Sequence, residues 1–169
     1  MKKRIYILNG MGGCGKDTFA KFLGELCGVF KYSSVDRVKQ IAYECGWNGG
    51  KTEKDRKFLS DLKCLLSEYN DLPFDDVTAR TMDFMFDEKS DVMLIDIREP
   101  AEIERAVVAY NAKSILIKND RVPFISSNMA DAGVYNYEYD YTIENNGTLE
   151  EFRETVHDFY NEVICDAIR

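Results

Sequence analysis

The residues best suited to do chemistry stand near the start of the chain, in Gly10-Met11-Gly12-Gly13-Cys14-Gly15-Lys16-Asp17-Thr18. Wrapping a phosphate group requires successive backbone N–H groups to approach it closely. Side chains would obstruct that approach, so a run rich in glycine suits it. A helix beginning near Asp17 would add the positive end of its dipole, and Lys16 supplies a point charge for β- and γ-phosphate oxygens. Gly-x4-Gly-Lys usually continues with the Ser or Thr that ligates magnesium; here Asp17 takes that place and Thr18 follows it. A carboxylate holds magnesium directly or through water, so Asp17 reads as a metal ligand. Cys14 reads as a small side chain tolerated inside the loop.

A second constellation follows the apolar run Asp91–Ile97, which leads through Asp96 into Arg98, Pro100 and Glu102. In a doubly wound sheet the carboxyl ends of the strands line the ligand crevice. There Asp96 could hold a magnesium-bound water or orient an acceptor, and Arg98 could clamp an acceptor phosphate with two parallel hydrogen bonds. The same two residues would also serve as a solvated pair at a strand end. No DxxG follows this strand and no [NT]KxD occurs in the chain, which disfavours a guanine-dependent switch.

These residues need a framework. Short apolar, β-branched runs at Lys3–Asn9, Val29–Ser33, Asp91–Ile97, Ser114–Lys118 and Tyr141–Glu144 predict five strands. Between them, helical periodicity places Phe19, Phe22, Leu23 and Leu26 on one face, with Gly28 as the stop. Val35, Val38, Ile41, Ala42 and Cys45 mark a second helix, and Phe58, Leu62, Leu65, Leu66 and Tyr69 form the apolar stripe of a third, closed by Pro73. Further helices are expected over Asp75–Asp87, after Pro100, and after a capping box formed by Thr148 and Glu151. The last would bury Leu149, Phe152, Val156, Phe159, Tyr160 and Val163. Tyr135, Tyr137, Tyr139 and Tyr141 alternate at strand period and read mainly as packing, with base stacking as the second reading. Strands alternating with amphipathic helices mean a parallel α/β sheet covered on both faces, in one domain spanning 1–169.

Composition agrees with this and narrows the partners. The 169 residues are 45% hydrophobic and 31% charged, too balanced for a disordered chain. Five cysteines, odd in number and scattered, argue for reduced thiols and a cytoplasmic protein. No apolar run is long enough to span a membrane. A net charge of −8 argues against nucleic acid, yet residues 1–60 carry 12 basic against 6 acidic side chains, and 61–169 carry 10 against 24. The cationic third is the third that holds the phosphate loop. The single histidine, His157, falls on the terminal helix and reads as structural, which leaves little for acid–base hydrolysis.

GxxxxGKDT followed by an apolar strand running into D-x-R-x-P-x-E resembles the bacteriophage deoxynucleoside monophosphate kinase family. Ser33–Lys39 (SSVDRVK), Arg56–Leu59 (RKFL) and Asn146–Glu150 (NGTLE) are similar to further family pieces, so the likeness spans nearly the whole chain. The resemblance implies the P-loop nucleotide-kinase fold, a five-stranded parallel sheet, and ATP with magnesium (Mg2+) as phosphoryl donor. It also implies an acceptor-binding segment at about 33–80 and a lid at about 119–140. Carried over by position, it makes Asp36, Lys39, Arg56 and Arg98 acceptor-side residues. Arg121 is the only basic residue between Lys118 and Arg153, so a lid arginine acting on the transferred phosphoryl group would have to be Arg121 or come from elsewhere.

The function expected on these grounds is transfer of the ATP γ-phosphoryl group to a (deoxy)nucleoside monophosphate, giving the diphosphate and ADP, by a monomer or homodimer. Lys16, Arg98 and Arg121 are the expected catalytic residues, Gly10, Gly12, Gly13, Cys14, Gly15, Lys16, Asp17 and Thr18 bind ATP, and Asp17 with Asp96 holds the metal. A dephospho-coenzyme A or other small-metabolite kinase uses the same parts. A nucleotide-binding regulatory module without acceptor turnover is the alternative outside the enzymes.

Overall fold

The computed structural model describes residues 3–122 and 133–165. Five parallel strands, β1 (Arg4–Asn9), β2 (Val29–Ser33), β3 (Val92–Asp96), β4 (Lys113–Lys118) and β5 (Tyr141–Glu144), lie in the order β2-β3-β1-β4-β5. Six helices connect and cover them: α1 (Lys16–Leu23), α2 (Asp36–Glu44), α3 (Glu53–Asn70), α4 (Leu72–Phe86), α5 (Pro100–Tyr110) and α6 (Leu149–Phe159), the last continued by a π-helical turn, Tyr160–Cys165. The expected fold class, an α/β P-loop nucleotide-kinase arrangement with a parallel five-stranded sheet, is the one observed.

Alternation along the strands divides the core between the two faces of the sheet. Tyr6 and Leu8 of β1 join Leu94, Ile115 and Ile117 under Phe19 and Leu23 of α1 and Phe152 and Val156 of α6. Ile7, Met93 and Ile95 point the other way, against Phe74, Val77 and Phe84 of α4 and Ile103 and Ala106 of α5. Each fully buried side chain of this size stabilises the fold by about 1.5–3 kcal/mol. The register sets Asp96 level with both Leu8 and Ser33, so the carboxyl ends of β1, β2 and β3 open onto the same space.

The structure corrects several local expectations. α1 ends at Leu23 with Gly24 as its cap, and Gly28 instead accepts from the N–H groups of Asp91 and Val92 at the entry to β2 and β3. Pro73 sits in the first turn of α4, which begins earlier than Asp75. Leu149 is exposed because it follows the cap, whereas Phe152, Val156 and Phe159 are buried as expected. The stripe predicted for α3 is only partly its packed face: Leu62 and Leu66 are half-buried, but Phe58, Leu65 and Tyr69 are exposed, and the buried residue of this helix is Lys63. Of the four alternating tyrosines only Tyr141 lies in a strand; Tyr139 packs edge-on against Tyr137 and bonds its hydroxyl to the Val134 carbonyl.

All five cysteines are free thiols. Among the described residues no helix is long and apolar enough to cross a membrane.

Candidate active site

The phosphate loop leaves β1 at Asn9, a buried polar residue that the motif does not mark. Its amide oxygen accepts from the Gly10 N–H at 2.8 Å, and its amide nitrogen donates to the Arg98 carbonyl at 3.2 Å and to the Tyr139 hydroxyl at 2.7 Å. One side chain thus ties the start of the loop to the end of β3. The glycines at the two ends of the loop are required by space. A Cβ on Gly10 would lie 2.4 Å from the Ile117 carbonyl oxygen, and one on Gly15, where φ is 110°, would lie 2.5 Å from Asn145 Nδ2.

Within the loop, Lys16 Nζ folds back to donate to the carbonyls of Gly10 at 2.6 Å and Met11 at 3.1 Å. Cys14 is buried, and burial raises its thiol pKa against the opposing pull of Lys16. The loop therefore presents Gly12, Gly13, Gly15 and the first turn of α1 to a cavity of about 950 Å³, within the usual size range of small-molecule sites.

Asp17 and Asp96, the two expected metal ligands, face this cavity together. A lysine that sequence reasoning missed stands between them: Lys31 Nζ pairs with Asp17 Oδ1 and lies 3.4 Å from Asp96 Oδ2. The Lys31 bond holds Asp17 below its ordinary pKa. Burial raises that of Asp96, only partly offset by Lys31 and Lys16. Burial alone would lower the Lys31 pKa, but its two carboxylates outweigh that and raise it. The other carboxylate oxygen of Asp96, Oδ1, is buried without a hydrogen-bond partner. An orphaned, shielded carboxylate oxygen beside a phosphate loop fits a hydrated divalent cation. Among the described residues no group of three or more His, Cys, Asp or Glu side chains could hold a metal alone. Magnesium at phosphate sites needs only one or two carboxylates besides water and phosphate oxygens.

The other half of the cavity collects the residues expected on the acceptor side. Asp36, Lys39, Arg56 and Arg98 all line it, joined by Lys51. Asp36 opens α2, accepts from the Ser33 N–H at 3.1 Å and pairs with Lys39 at 3.1 Å. Tyr32, Val35 and Leu59 give this end an apolar wall. The cavity therefore joins a phosphate cradle at one end to a cationic, partly apolar chamber at the other.

Lys63 closes the chamber floor. It is 8% exposed and donates to Glu99 Oε2 at 2.7 Å and Glu102 Oε2 at 2.6 Å, latching α3 to the start of α5. One ammonium cannot fully neutralise two carboxylates, of which Glu102 is the more buried. Burial pushes Glu102 up to about 7, against the pull of Lys63, while Lys63 overcomes burial at Glu99 and keeps its pKa below the ordinary value.

Arg121 is not among the residues lining the cavity. Its guanidinium donates to the carbonyls of Gly147 at 2.8 Å and Asn145 at 3.3 Å, bracing the turn before α6. Residues 123–132 of the expected lid lie outside the described residues. His157 is exposed on α6, its ring 3.0 Å from the Asn161 amide, and it is not among the residues lining the cavity.

No protein-family model and no curated protein sequence matches this chain. Solved structures do match along nearly its whole length. Dephospho-CoA kinase from Campylobacter jejuni superposes with a TM-score of 0.53 at 14% identity, covering 95% of this chain and 97% of that one. TT1252 from Thermus thermophilus gives 0.51 at 16% identity over 96% and 99%. A shikimate kinase from Bacteroides thetaiotaomicron gives 0.50 at 15% identity over 94% and 96%. At these identities the likeness is one of fold: the chain has the fold of small P-loop kinases.

Proposed function

We propose that this protein is an ATP-dependent small-molecule kinase whose acceptor is an anion, with a (deoxy)nucleoside monophosphate as the acceptor of first choice. The observation that carries the reading is the single cavity that joins the phosphate loop to Lys39, Arg56 and Arg98. Two proteins of the same fold are named as kinases of dephospho-CoA and of shikimate, which supports small-molecule phosphoryl transfer without selecting the acceptor. The apolar wall of Tyr32, Val35 and Leu59 beside the acceptor cations favours a planar base on an anionic group over a compact polyol.

Phosphoryl transfer asks for positioning and charge stabilisation more than covalent chemistry. In this reading the N–H groups of Gly12 to Lys16 cradle the phosphates of ATP. Lys16 leaves the Gly10 and Met11 carbonyls for phosphate oxygens, exchanging neutral acceptors for charged ones. Arg98, Lys39 and Arg56 fix the acceptor anion at the other end, and Arg98 also faces the charge that develops between the two substrates. Asp96, with Asp17, would hold magnesium, which when bound neutralises phosphate oxygens and keeps them in line. Asp36 orients Lys39. The Lys63 latch keeps α3 over the chamber and limits water.

The deciding experiment is an ADP-release screen with ATP and magnesium across all nucleoside and deoxynucleoside monophosphates, together with dephospho-coenzyme A. Release dependent on one class of monophosphate supports the reading. Release with dephospho-coenzyme A alone replaces the acceptor. Tight ATP binding with no acceptor-dependent ADP overturns the kinase in favour of a regulatory nucleotide-binding module.

A further inference from the structure

The cavity contains a cation that neither the phosphate loop nor the acceptor side accounts for. Lys31 projects from the edge strand β2 to the point where the two halves of the site meet. Its ammonium pairs with Asp17 and reaches Asp96 at 3.4 Å, so it stands between the carboxylates that would hold a divalent ion. Its two bonds differ in kind. The Asp17 side chain is 95% exposed, and an ion pair in that much water is weak and readily exchanged. Asp96 is 21% exposed and presents its second oxygen unpartnered, so the ammonium satisfies only half of that carboxylate. A cation tethered by one weak bond and one long one, beside a phosphate cradle, is poised to change partners.

We propose that Lys31 is a phosphate-binding residue parked in the free protein on Asp17 and Asp96, where it keeps a divalent cation out until the nucleotide arrives. The inference deepens the kinase reading and rests on the nucleotide binding that reading assumes. Without nucleotide the ammonium cancels one of two negative charges, and the remaining charge binds a divalent ion poorly. An incoming triphosphate offers Lys31 several anionic oxygens in place of the exposed Asp17. Its departure returns both carboxylates to net −2 as the phosphate oxygens needed to complete a metal shell come within reach. The charge of the site thus stays close to balanced in both states, and metal and nucleotide enter together. Nothing covalent changes: one ammonium moves between anions.

The test is direct binding of Mn2+ to the nucleotide-free protein, read from the free-ion electron paramagnetic resonance signal, for the wild type, Lys31→Met and Lys31→Arg. Lys31→Met should bind Mn2+ about tenfold more tightly than the wild type, because the competing charge is gone. Lys31→Arg, which keeps the charge, should stay near the wild type. Loss of a phosphate contact should also shrink the preference of Lys31→Met for a non-hydrolysable ATP analogue over ADP by about tenfold, measured by calorimetry. Circular dichroism of each variant establishes that the fold is retained; β2 is an edge strand, and the lysine contributes nothing to either core cluster. If Lys31→Met binds Mn2+ no better than the wild type, or keeps its full preference for the triphosphate, the inference is overturned. The metal arm needs no acceptor and no turnover. Failure here with a positive ADP-release screen therefore removes the role of Lys31 and leaves the kinase.

Discussion

Asn145 Nδ2 donates to the carbonyl of Cys14 at 2.9 Å, joining the end of β5 to the phosphate loop across 131 positions of sequence. The same residue continues the sheet, since its N–H donates to the Lys118 carbonyl at 2.7 Å. The loop is therefore held from two sides, by Asn9 at its start and Asn145 at its middle. Asn145→Asp turns the donor into a second acceptor facing a carbonyl and adds negative charge beside the phosphates. ATP affinity should fall about tenfold or more, with about 1–3 kcal/mol lost from stability for the unsatisfied contact. Fluorescent-nucleotide titration and urea unfolding of the variant check both effects.

Gly15→Ala places a methyl group against that same amide, at a φ that non-glycine residues rarely adopt. The expected outcome is nearly complete loss of ATP binding, with far-ultraviolet circular dichroism unchanged. A variant that binds ATP normally would mean that the loop can relax around the methyl group.

Legibility in the sequence followed distance along the chain. The loop, the strand before it and the helix after it lie within 20 residues, so glycine chemistry and local periodicity reveal them together. Nothing local predicts the strand order, because pairing β1 with β3 depends on residues nearly 90 positions apart. Asn9, Lys31 and Lys63 escaped notice for the same reason. Their partners, Arg98, Asp96 and Glu99, come from β3 and the segment after it, and nothing local marks them. In α3 the pattern was only partly right, for Leu62 and Leu66 are half-buried but the rest of the stripe is not. The apolar stripe predicted a buried face, but the helix approaches α5 with Lys63, whose two carboxylates make burial of a charge tolerable and leave Phe58, Leu65 and Tyr69 outside.

The acceptor residues can be separated from the donor residues by kinetics. Arg56→Ala and Lys39→Ala remove cations from the chamber only, so the acceptor KM should rise about tenfold while the ATP KM stays within about twofold. Steady-state rates with each substrate varied in turn would show this. A rise confined to the ATP KM would place these residues on the donor side.

Arg121 distinguishes a lid arginine from a structural one. Its two bonds to the carbonyls of Asn145 and Gly147 predict that Arg121→Ala loosens the turn behind the phosphate loop. The ATP KM should then rise a few-fold with kcat nearly preserved. An arginine that acts on the transferred phosphoryl group would instead show a fall in kcat of about a hundredfold or more, since interactions made only in the transition state appear there. Measurement of both constants for this variant decides between the roles.

The Lys63 latch also makes stability depend on pH. Glu102 has an ordinary pKa of 4.5 and is pushed up to about 7 by burial, with Glu99 as a repelling neighbour and Lys63 opposing. Between these values the folded protein binds more protons than the unfolded chain, so stability falls as pH rises. The stability contributed by the protonated carboxyl is fully present below about pH 4.5 and is lost as pH passes 7. Glu99 shifts in the opposite direction, and its contribution is lost only as pH falls through the acidic range, outside this window. Glu102→Gln keeps the shape and a hydrogen-bonding head but cannot ionise. Urea unfolding at pH 5 and pH 7.5 should find the variant gaining on the wild type by about 1–2 kcal/mol at the higher pH, the full shift being shared across a coupled pair. An equal difference at the two pH values would show that Glu102 ionises normally and that Lys63 suffices for both carboxylates.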